Sequence, residues 1–319
     1  MNRIGVLTSG GDAPGMNAAV RAIVRKAIHY GIEIYGVHRG FMGLINSDFI
    51  KLDISSVGDI IHRGGTALLT ARCDEFKTEE GQKKALKNLE AFGIEGIIVI
   101  GGDGSLRGAN ALSKLGIPTI GIPATIDNDI PFTDNCIGFD TAANTVVDAL
   151  NKVIDTATSH ERTFIIEVMG RRAGHLALYT GLASGAETIL VPEIPFDLNA
   201  VCDKIEKGYI RGKLHSIIVV AEGAANSMEV GKVIQEKTGL ETRVIILGHL
   251  QRGGKPSAYD RILASRFGGK AVDLIRQNTK DKMLGLINGE LVTTDIEKVL
   301  SATKPLDMEL YQLADILSF

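Results

Sequence analysis

The chain has little cysteine: three residues in 319. Cys73, Cys136 and Cys202 are odd in number and have no CxxC spacing, which excludes a disulfide framework and a cysteine-built zinc site and points to a reducing compartment. An excess of charge is lacking too. The formal net charge of −3 gives no general pull toward nucleic acid or a membrane surface, so any anion site must come from local clusters of Arg and Lys. No apolar run approaches the roughly 18 residues of a membrane span. The chain opens almost directly on the strand-like Ile4-Gly5-Val6-Leu7 with nothing that reads as a signal peptide, and a cytoplasmic protein is expected. Low-complexity linkers and internal repeats are absent, so domain boundaries are weakly marked.

What is present is ordinary globular material, 45% hydrophobic and 23% charged, long enough for one large or two ordinary domains. Short β-branched runs predict strands over 4–7, 34–37, 97–100, 119–122, 163–168, 188–191, 216–221 and 244–247. Several are continuous apolar runs, as expected of a parallel sheet covered on both faces. Between them lie helical stripes, Met16, Ala19, Val20, Ile23, Val24 and Ala27 in one, Ala143, Val146, Leu150 and Val153 in another. Asn288-Gly289 between apolar residues reads as a hairpin. The alternation predicts an α/β protein of two interleaved domains, each a mainly parallel sheet with helices on both faces. Chain crossings near Gly138 and near Gln251–Gly254 divide it into 1–138 plus 251–301 and 139–250 plus 302–319, with a cleft expected between.

Two glycine-rich turns follow predicted strands. The first, Leu7-Thr8-Ser9-Gly10-Gly11-Asp12-Ala13-Pro14-Gly15, opens a helix; glycines let backbone N–H groups approach an anion and the helix N-terminus adds partial positive charge. It is neither a Walker A loop nor a clean GxGxxG, and a plain strand-to-helix turn competes with the binding reading. The second, Ile100-Gly101-Gly102-Asp103-Gly104-Ser105, repeats the pattern and places Asp103 where it would face a magnesium ion beside a triphosphate. Downstream, Gly121-Ile-Pro-Ala-Thr-Ile-Asp-Asn-Asp129 puts Asp127 and Asp129 beyond a strand end, where open α/β sheets carry their chemistry. An anionic carboxylate there can serve as general base to a hydroxyl. In an extended segment the two acids would alternate in direction; an Asx-type turn is the bland alternative. Arg72, Arg162, Arg171, Arg172, Arg243 and Arg252 are dispersed, several at strand ends, and a guanidinium fork matches a phosphate dianion. The sum points to phosphoryl transfer onto a small molecule that is itself phosphorylated.

With these segments assembled, and with Ser159-His160-Glu161-Arg162, Glu167-Val168-Met169-Gly170-Arg171, Gly248 to Gly254 and Asp260-Arg261-Ile262-Leu263-Ala264-Ser265, the chain resembles the bacterial ATP-dependent 6-phosphofructokinase family over almost its whole length. The resemblance implies a homotetramer that makes fructose 1,6-bisphosphate and ADP from fructose 6-phosphate and ATP, with Mg2+ as cofactor. It places ATP contacts on Gly11, Arg72, Cys73, Gly102, Asp103, Gly104 and Ser105, with Asp103 at the metal. Asp127 matches the base; Thr125, Asp129, Arg171, Gly11 and Arg72 match groups that orient the substrates or steady the phosphoryl group. Sugar-phosphate contacts fall on Thr125, Ile126, Asp127, Met169, Gly170, Arg171, Glu222, His249, Leu250, Gln251 and Arg252, with Arg162 and Arg243 donated by a neighbouring subunit.

The same resemblance implies an effector site for ADP and phosphoenolpyruvate at Arg21, Ala22, Ile23, Val24, Arg25, Asp59, Gly185, Ala186, Glu187, Arg211, Lys213, Leu214 and His215. Ile154 and Leu214 stand where relatives typically carry cationic side chains, and losing a bidentate phosphate partner weakens binding by about 1.5–3 kcal/mol; a present but blunted pocket is expected. Pyrophosphate-using relatives typically carry Asp at position 104 and Lys at 124, where this chain has Gly104 and Ala124, so ATP is the expected donor. A pyrophosphate-dependent kinase and a catalytically silent phosphometabolite sensor are the competing readings.

Overall fold

The computed structural model describes residues 1–160 and 162–318. Glu161, part of the Ser159–Arg162 segment quoted above, lies outside the described residues, as does Phe319. Contacts divide the chain into two units: Met1–Ile126, Ile130–Thr141 and Arg252–Lys304 in the first, Asp127–Asp129, Ala142–Gln251 and Pro305–Phe319 in the second.

The first unit holds a seven-stranded sheet of β1 (Arg3–Thr8), β2 (Glu33–Val37), β3 (Phe49–Leu52), β4 (Ile97–Gly101), β5 (Thr119–Pro123), β10 (Lys282–Ile287) and β11 (Glu290–Asp295), in the order β11-β10-β5-β4-β1-β2-β3. The five central strands run parallel; β3 on β2 and β11 on β10 are antiparallel, so each edge is closed by a reversed strand. In the centre, Ile97, Ile98, Val99 and Ile100 of β4 are all fully buried, because helices cover both faces. Those helices are α1 (Met16–His29), α2 (Phe41–Asn46), α3 (Glu79–Ala91), α4 (Asp103–Lys114), α9 (Ala258–Arg276) and α10 (Ile296–Leu300). α1 buries its predicted stripe against α9, and Gly268 permits the close approach: a Cβ there would stand 2.7 Å from the Ala19 carbonyl oxygen.

The second unit holds a four-stranded, wholly parallel sheet in the order β7-β8-β6-β9, from β6 (Thr163–Val168), β7 (Thr188–Leu190), β8 (Ser216–Ala221) and β9 (Thr242–Ile246). Its helices are α6 (His175–Ala183), α7 (Leu198–Ile210), α8 (Ser227–Thr238), α11 (Met308–Leu317) and most of α5 (Phe139–His160), whose first residues belong to the first unit. The core is Ile165, Leu190, Val201, Ile205, Ile218, Val220, Val230 and Ile234. All three cysteines are free thiols, Cys136 and Cys202 buried and Cys73 partly exposed. No helix among the described residues is long and apolar enough to cross a membrane.

Two strands differ from expectation. β3 was not predicted, being a four-residue edge strand with a weak pattern. β9 begins at Thr242 and not at Val244, since its register on β6 starts at Thr163 opposite Thr242.

Asp260 ties two pieces of the first unit together. It is fully buried, and its carboxylate accepts the backbone N–H of Gly138 (2.9 Å) and of Thr141 (2.8 Å) and the Thr141 hydroxyl (2.5 Å). Burial is the largest influence on this acid and pushes its pKa above the ordinary carboxylate value, against the hydrogen bonds from Thr141 and Gly138. A folded-state pKa above the unfolded one means that the contribution is fully present below the unfolded value and is lost as pH rises through the raised one. In Asp260→Asn that dependence disappears. The stability of the Asn variant relative to the native protein should therefore improve as pH rises from below the carboxylate range to neutrality. Urea denaturation at stepped pH measures it, and a difference that stays flat would contradict the assignment.

Candidate active site

In the first unit, β1 pairs with β4 and β4 with β5, all parallel, so the segments that follow these strands lie side by side at one end of the sheet. The first glycine-rich turn is fastened to β4 by the Ser9 N–H donating to the Ile100 carbonyl (3.0 Å). Gly10 and Gly15 take φ of +84° and +110°, which a side chain rarely adopts. The second turn presses against the first: a Cβ on Gly101 would lie 2.4 Å from the Ser9 carbonyl oxygen and 2.3 Å from Ser105 Oγ. Ser105 Oγ is also 3.2 Å from where a Gly10 Cβ would be. This hydroxyl is buried between the two turns without a hydrogen-bond partner. Thr125 completes the wall, 3.5 Å from the Cβ position of Gly102.

Helix capping differs between these turns and several other helix starts. α3, α7, α8, α9 and α11 begin with Thr78, Asp197, Asn226, Ser257 and Asp307, whose side chains accept first-turn N–H groups. α1 and α4 begin with Gly15 and Gly102 and have no side-chain cap, as is also true of α2 and α6; at α1 and α4 the uncapped starts adjoin the glycine-rich turns, where remaining first-turn N–H groups and the dipole can meet an anion. Asp103 opens α4, partly exposed and paired with Arg107 (3.1 Å). Among the described residues no group of three or more His, Cys, Asp or Glu is arranged to hold a metal alone. One carboxylate with a buried hydroxyl nearby would suit a magnesium ion held mainly by phosphate oxygens, and in that sense the residues fit such an ion. Arg252 lies over the first turn, Nη1 donating to the Asp12 carbonyl (3.4 Å), in the place a Gly11 side chain would fill. Arg72 and Cys73 follow in the loop beside this turn, Arg72 exposed.

Beyond Thr125 the chain does not continue extended. Asn128 has φ +52°, so the expected alternation of Asp127 and Asp129 does not apply. The bend still gives them different surroundings: Asp127 is only 3% exposed, Asp129 partly exposed. Ile126 is fully buried, so only its backbone can meet a ligand.

In the second unit three loops meet at the carboxyl ends of β6, β8 and β9. Glu222 Oε1 accepts the N–H groups of Gly170 (3.2 Å) and Arg171 (2.7 Å), and Gln251 Oε1 accepts that of Met169 (3.0 Å). Gly223 packs so closely that a Cβ would stand 2.0 Å from the Arg171 carbonyl oxygen. Arg171 is held at φ +55°, a strained state for a non-glycine residue, with its side chain exposed; His249 and Leu250 are exposed beside the buried Gln251. Arg162 and Arg243 are not part of this group. They sit at the opposite ends of β6 and β9, both paired with Glu241 (2.8 and 2.5 Å), whose pKa they hold below the ordinary value, Arg162 most strongly. The six residues of β6 put about 20 Å between the two ends.

Of the expected effector positions, Glu187 is buried, accepting the Ile217 N–H and pairing with Lys213, while His215 Nδ1 is 3.3 Å from Thr158 Oγ1. Gly185 and Ala186 precede Glu187 in the same corner of the second unit; Arg211 is exposed and Leu214 is 48% exposed. Arg21, Ala22 and Arg25 lie on α1 of the first unit, with Asp59 in a nearby turn at φ +52°. Ile23 and Val24 are fully buried in the core, so their side chains line no pocket. Sequence reasoning missed Glu241, Asp260 and Asn17, whose importance is tertiary. Only Asp260 left a local trace, the Ser257-x-x-Asp260 start of α9.

A family model described as Phosphofructokinase matches residues 3–275. An ATP-dependent 6-phosphofructokinase of Halothermothrix orenii is 60% identical over 331 residues, covering 100% of both chains. That of Bacillus subtilis (strain 168) is 58% identical over 318 residues, again covering 100% of both. Among solved structures, phosphofructokinase from Saccharomyces cerevisiae superposes with a TM-score of 0.91 at 33% identity, over 100% of this chain and 48% of that one. A pyrophosphate-dependent phosphofructokinase from Marinobacter aquaeolei shares the fold, with a TM-score of 0.87 at 24% identity over 97% and 86% of the two chains.

The glycines of the second turn are separable by experiment. Gly101→Ala forces a methyl onto the Ser9 carbonyl and should destabilise the protein by about 1–3 kcal/mol. A Cβ on Gly104 meets nothing within 4 Å, and Gly104→Ala in the first turn of α4 should be neutral or stabilising by up to about 1 kcal/mol. Equilibrium denaturation of both variants checks the contrast, and equal losses would refute the packing described here.

Proposed function

The chain belongs to the phosphofructokinase family, and from that membership we propose that it transfers the γ-phosphoryl group of ATP to the 1-hydroxyl of fructose 6-phosphate, giving fructose 1,6-bisphosphate and ADP in glycolysis. The observation that carries this reading is the buried Ser105 hydroxyl between two glycine-rich turns, each opening an uncapped helix at neighbouring strand ends. Such a cradle suits a chain of phosphates. When bound, a magnesium ion at Asp103 supplies charge neutralisation on the β- and γ-phosphates.

The chain's own residues do the rest. Backbone N–H groups of the two turns fix the nucleotide phosphates, with Arg72 adding a guanidinium. The buried Asp127 carboxylate accepts the proton of the sugar hydroxyl as it attacks the γ-phosphorus in line. Arg171, aimed by the Glu222 clamp on its backbone, steadies charge on the transferring group. Met169, Gly170, Glu222, His249 and Arg252 hold the sugar phosphate. Open space at Gly104 leaves room for a nucleotide's inner phosphates, which favours ATP over pyrophosphate. Loss of a positioned base costs about 10²–10⁴ in rate, so Asp127→Asn should lose that much kcat in a coupled assay with ATP. Full turnover in the variant would sink the role of Asp127. Turnover with pyrophosphate but not ATP in the native protein would sink the donor, and ligand binding without turnover would favour a sensor.

Arg162 and Arg243 support a homotetramer with shared sites, because in one subunit they lie a strand's length from the loops they would complete. Mixing inactive Asp127→Asn with inactive Arg162→Ala subunits should restore part of the activity through sites that are intact in the mixed assembly; no recovery would count against donation. Regulation by ADP and phosphoenolpyruvate is proposed at the corner of Glu187, Arg211, Lys213 and His215. Ile154 lies one turn before Thr158, which bonds its carbonyl (2.9 Å) and reaches His215. An apolar side chain there offers phosphate no partner, so Ile154→Arg should strengthen phosphoenolpyruvate inhibition about tenfold. Unchanged inhibition would contradict a blunted pocket. A cytoplasmic location is proposed with this activity.

A further inference from the structure

We propose that Asn17 is a positioning residue, which sets the loop carrying Arg72 against the first glycine-rich turn. Asn17 is the second residue of α1 and is only 2% exposed. Its amide is used at both ends. Nδ2 donates to the carbonyls of Arg63 (3.1 Å) and Gly64 (3.2 Å), and Oδ1 accepts the N–H of Ala67 (2.7 Å). No other side chain of this size supplies two donors and an acceptor in that arrangement; aspartate would set lone pairs against both carbonyls.

The loop needs such a strut because it has no regular structure of its own from Gly58 to Asp74. Leu69 takes φ +61°, which costs a non-glycine residue free energy and persists only under outside constraint. The other constraints come from β1, from the turn itself and from β2 with the residues that follow it. Thr8, last residue of β1, bonds the Thr66 hydroxyl (2.7 Å) and the Leu69 carbonyl (3.1 Å). Thr70 Oγ1 donates to the Gly10 carbonyl of the turn itself (2.9 Å). Leu68 is buried in the space left by Gly36, where a Cβ would stand 2.7 Å away. Arg72 follows Thr70 by two residues, with its side chain exposed. The N–H groups of the turn and the Arg72 guanidinium are thus both referred to the start of α1. A shift of the loop moves the guanidinium without moving the turn.

This inference rests on the reading of Arg72 as an ATP contact, and the test separates the two. Asn17→Ala, Asn17→Asp, Arg72→Ala and the double variant Asn17→Ala with Arg72→Ala are assayed with ATP and fructose 6-phosphate. Each single change should lower kcat/KM for ATP about tenfold or more and leave the KM for fructose 6-phosphate unchanged. The double variant should be no worse than Arg72→Ala, since the strut acts through that arginine. Hydrogen exchange at the Ala67 amide should rise in Asn17→Ala, with the amides of β4 as protected as before. If Asn17→Ala fails to accumulate, Thr66→Val loosens the same loop from a partly exposed position and should show a smaller loss, likewise absent in the Arg72→Ala background. Additive losses in the double variant, or full ATP efficiency despite faster exchange at Ala67, would overturn the proposal. Full activity in Arg72→Ala would remove its premise, and would be recognised as that failure because the single arginine variant alone shows it.

Discussion

The backbone contact between Ser9 and Gly101 governs the glycine-rich end of the first unit. Parallel pairing of β1 with β4 brings the two turns to a separation that no side chain at position 101 would permit. Once they touch, the starts of α1 and α4 lie side by side, and their unspent N–H groups act on a common space. A side-chain cap would occupy part of that donor set. Five other described helices cap first-turn N–H groups with Thr, Asp, Asn or Ser side chains, which stabilises a helix by about 1 kcal/mol but takes up donors that an anion would use. Glycine at the caps of α1 and α4 forgoes that stabilisation and leaves the dipole exposed.

The second unit reaches precision by the opposite means. Its loops are not pressed together by glycines alone but clamped by polar side chains: Glu222 takes two successive backbone N–H groups and Gln251 a third. The clamp holds Arg171 in a left-handed conformation that its own preferences oppose, and such strain persists only where the surroundings over-determine it. A guanidinium fixed through its backbone is suited to charge that develops late in a reaction, because little reorganisation is needed when the charge appears. Arg162 and Arg243, tied to Glu241 at the far end of the same strands, lie outside any such local arrangement.

Much of this was legible in the sequence. Apolar β-branched runs marked eight strands, most clearly those buried on both faces, which have nowhere to put polar residues, and the glycine-rich turns were visible because Gly10, Gly15 and Gly101 meet a geometry or a close contact that other residues do not. What escaped was set by tertiary contact. β3 is a short edge strand whose pattern competes with its exposure, and β9 takes its start from its partner β6. Asp260 and Asn17 are polar residues near helix starts, outside the apolar patterns that mark a core, yet both are buried and bonded to backbone far along the chain. The roles of Asp127 and Asp129 were expected to differ through alternation in an extended segment. They differ instead through a left-handed Asn128, a conformation that Asn tolerates better than most residues.

Gly104 shows how a residue can be informative by not being required. Its φ is not positive, nothing lies within 4 Å of a potential Cβ, and it stands in a helix where glycine is about 1 kcal/mol less favourable than alanine. Neither backbone geometry nor packing accounts for it, in contrast to Gly101 three residues earlier. The remaining physical reason is the space itself, kept clear at the positive end of α4 beside Asp103. A carboxylate grown into that space would repel a polyphosphate lying along the helix start and shorten the room available to it. A nucleotide triphosphate needs more room than pyrophosphate, so on the proposed reading an absent side chain at position 104 would help select the donor.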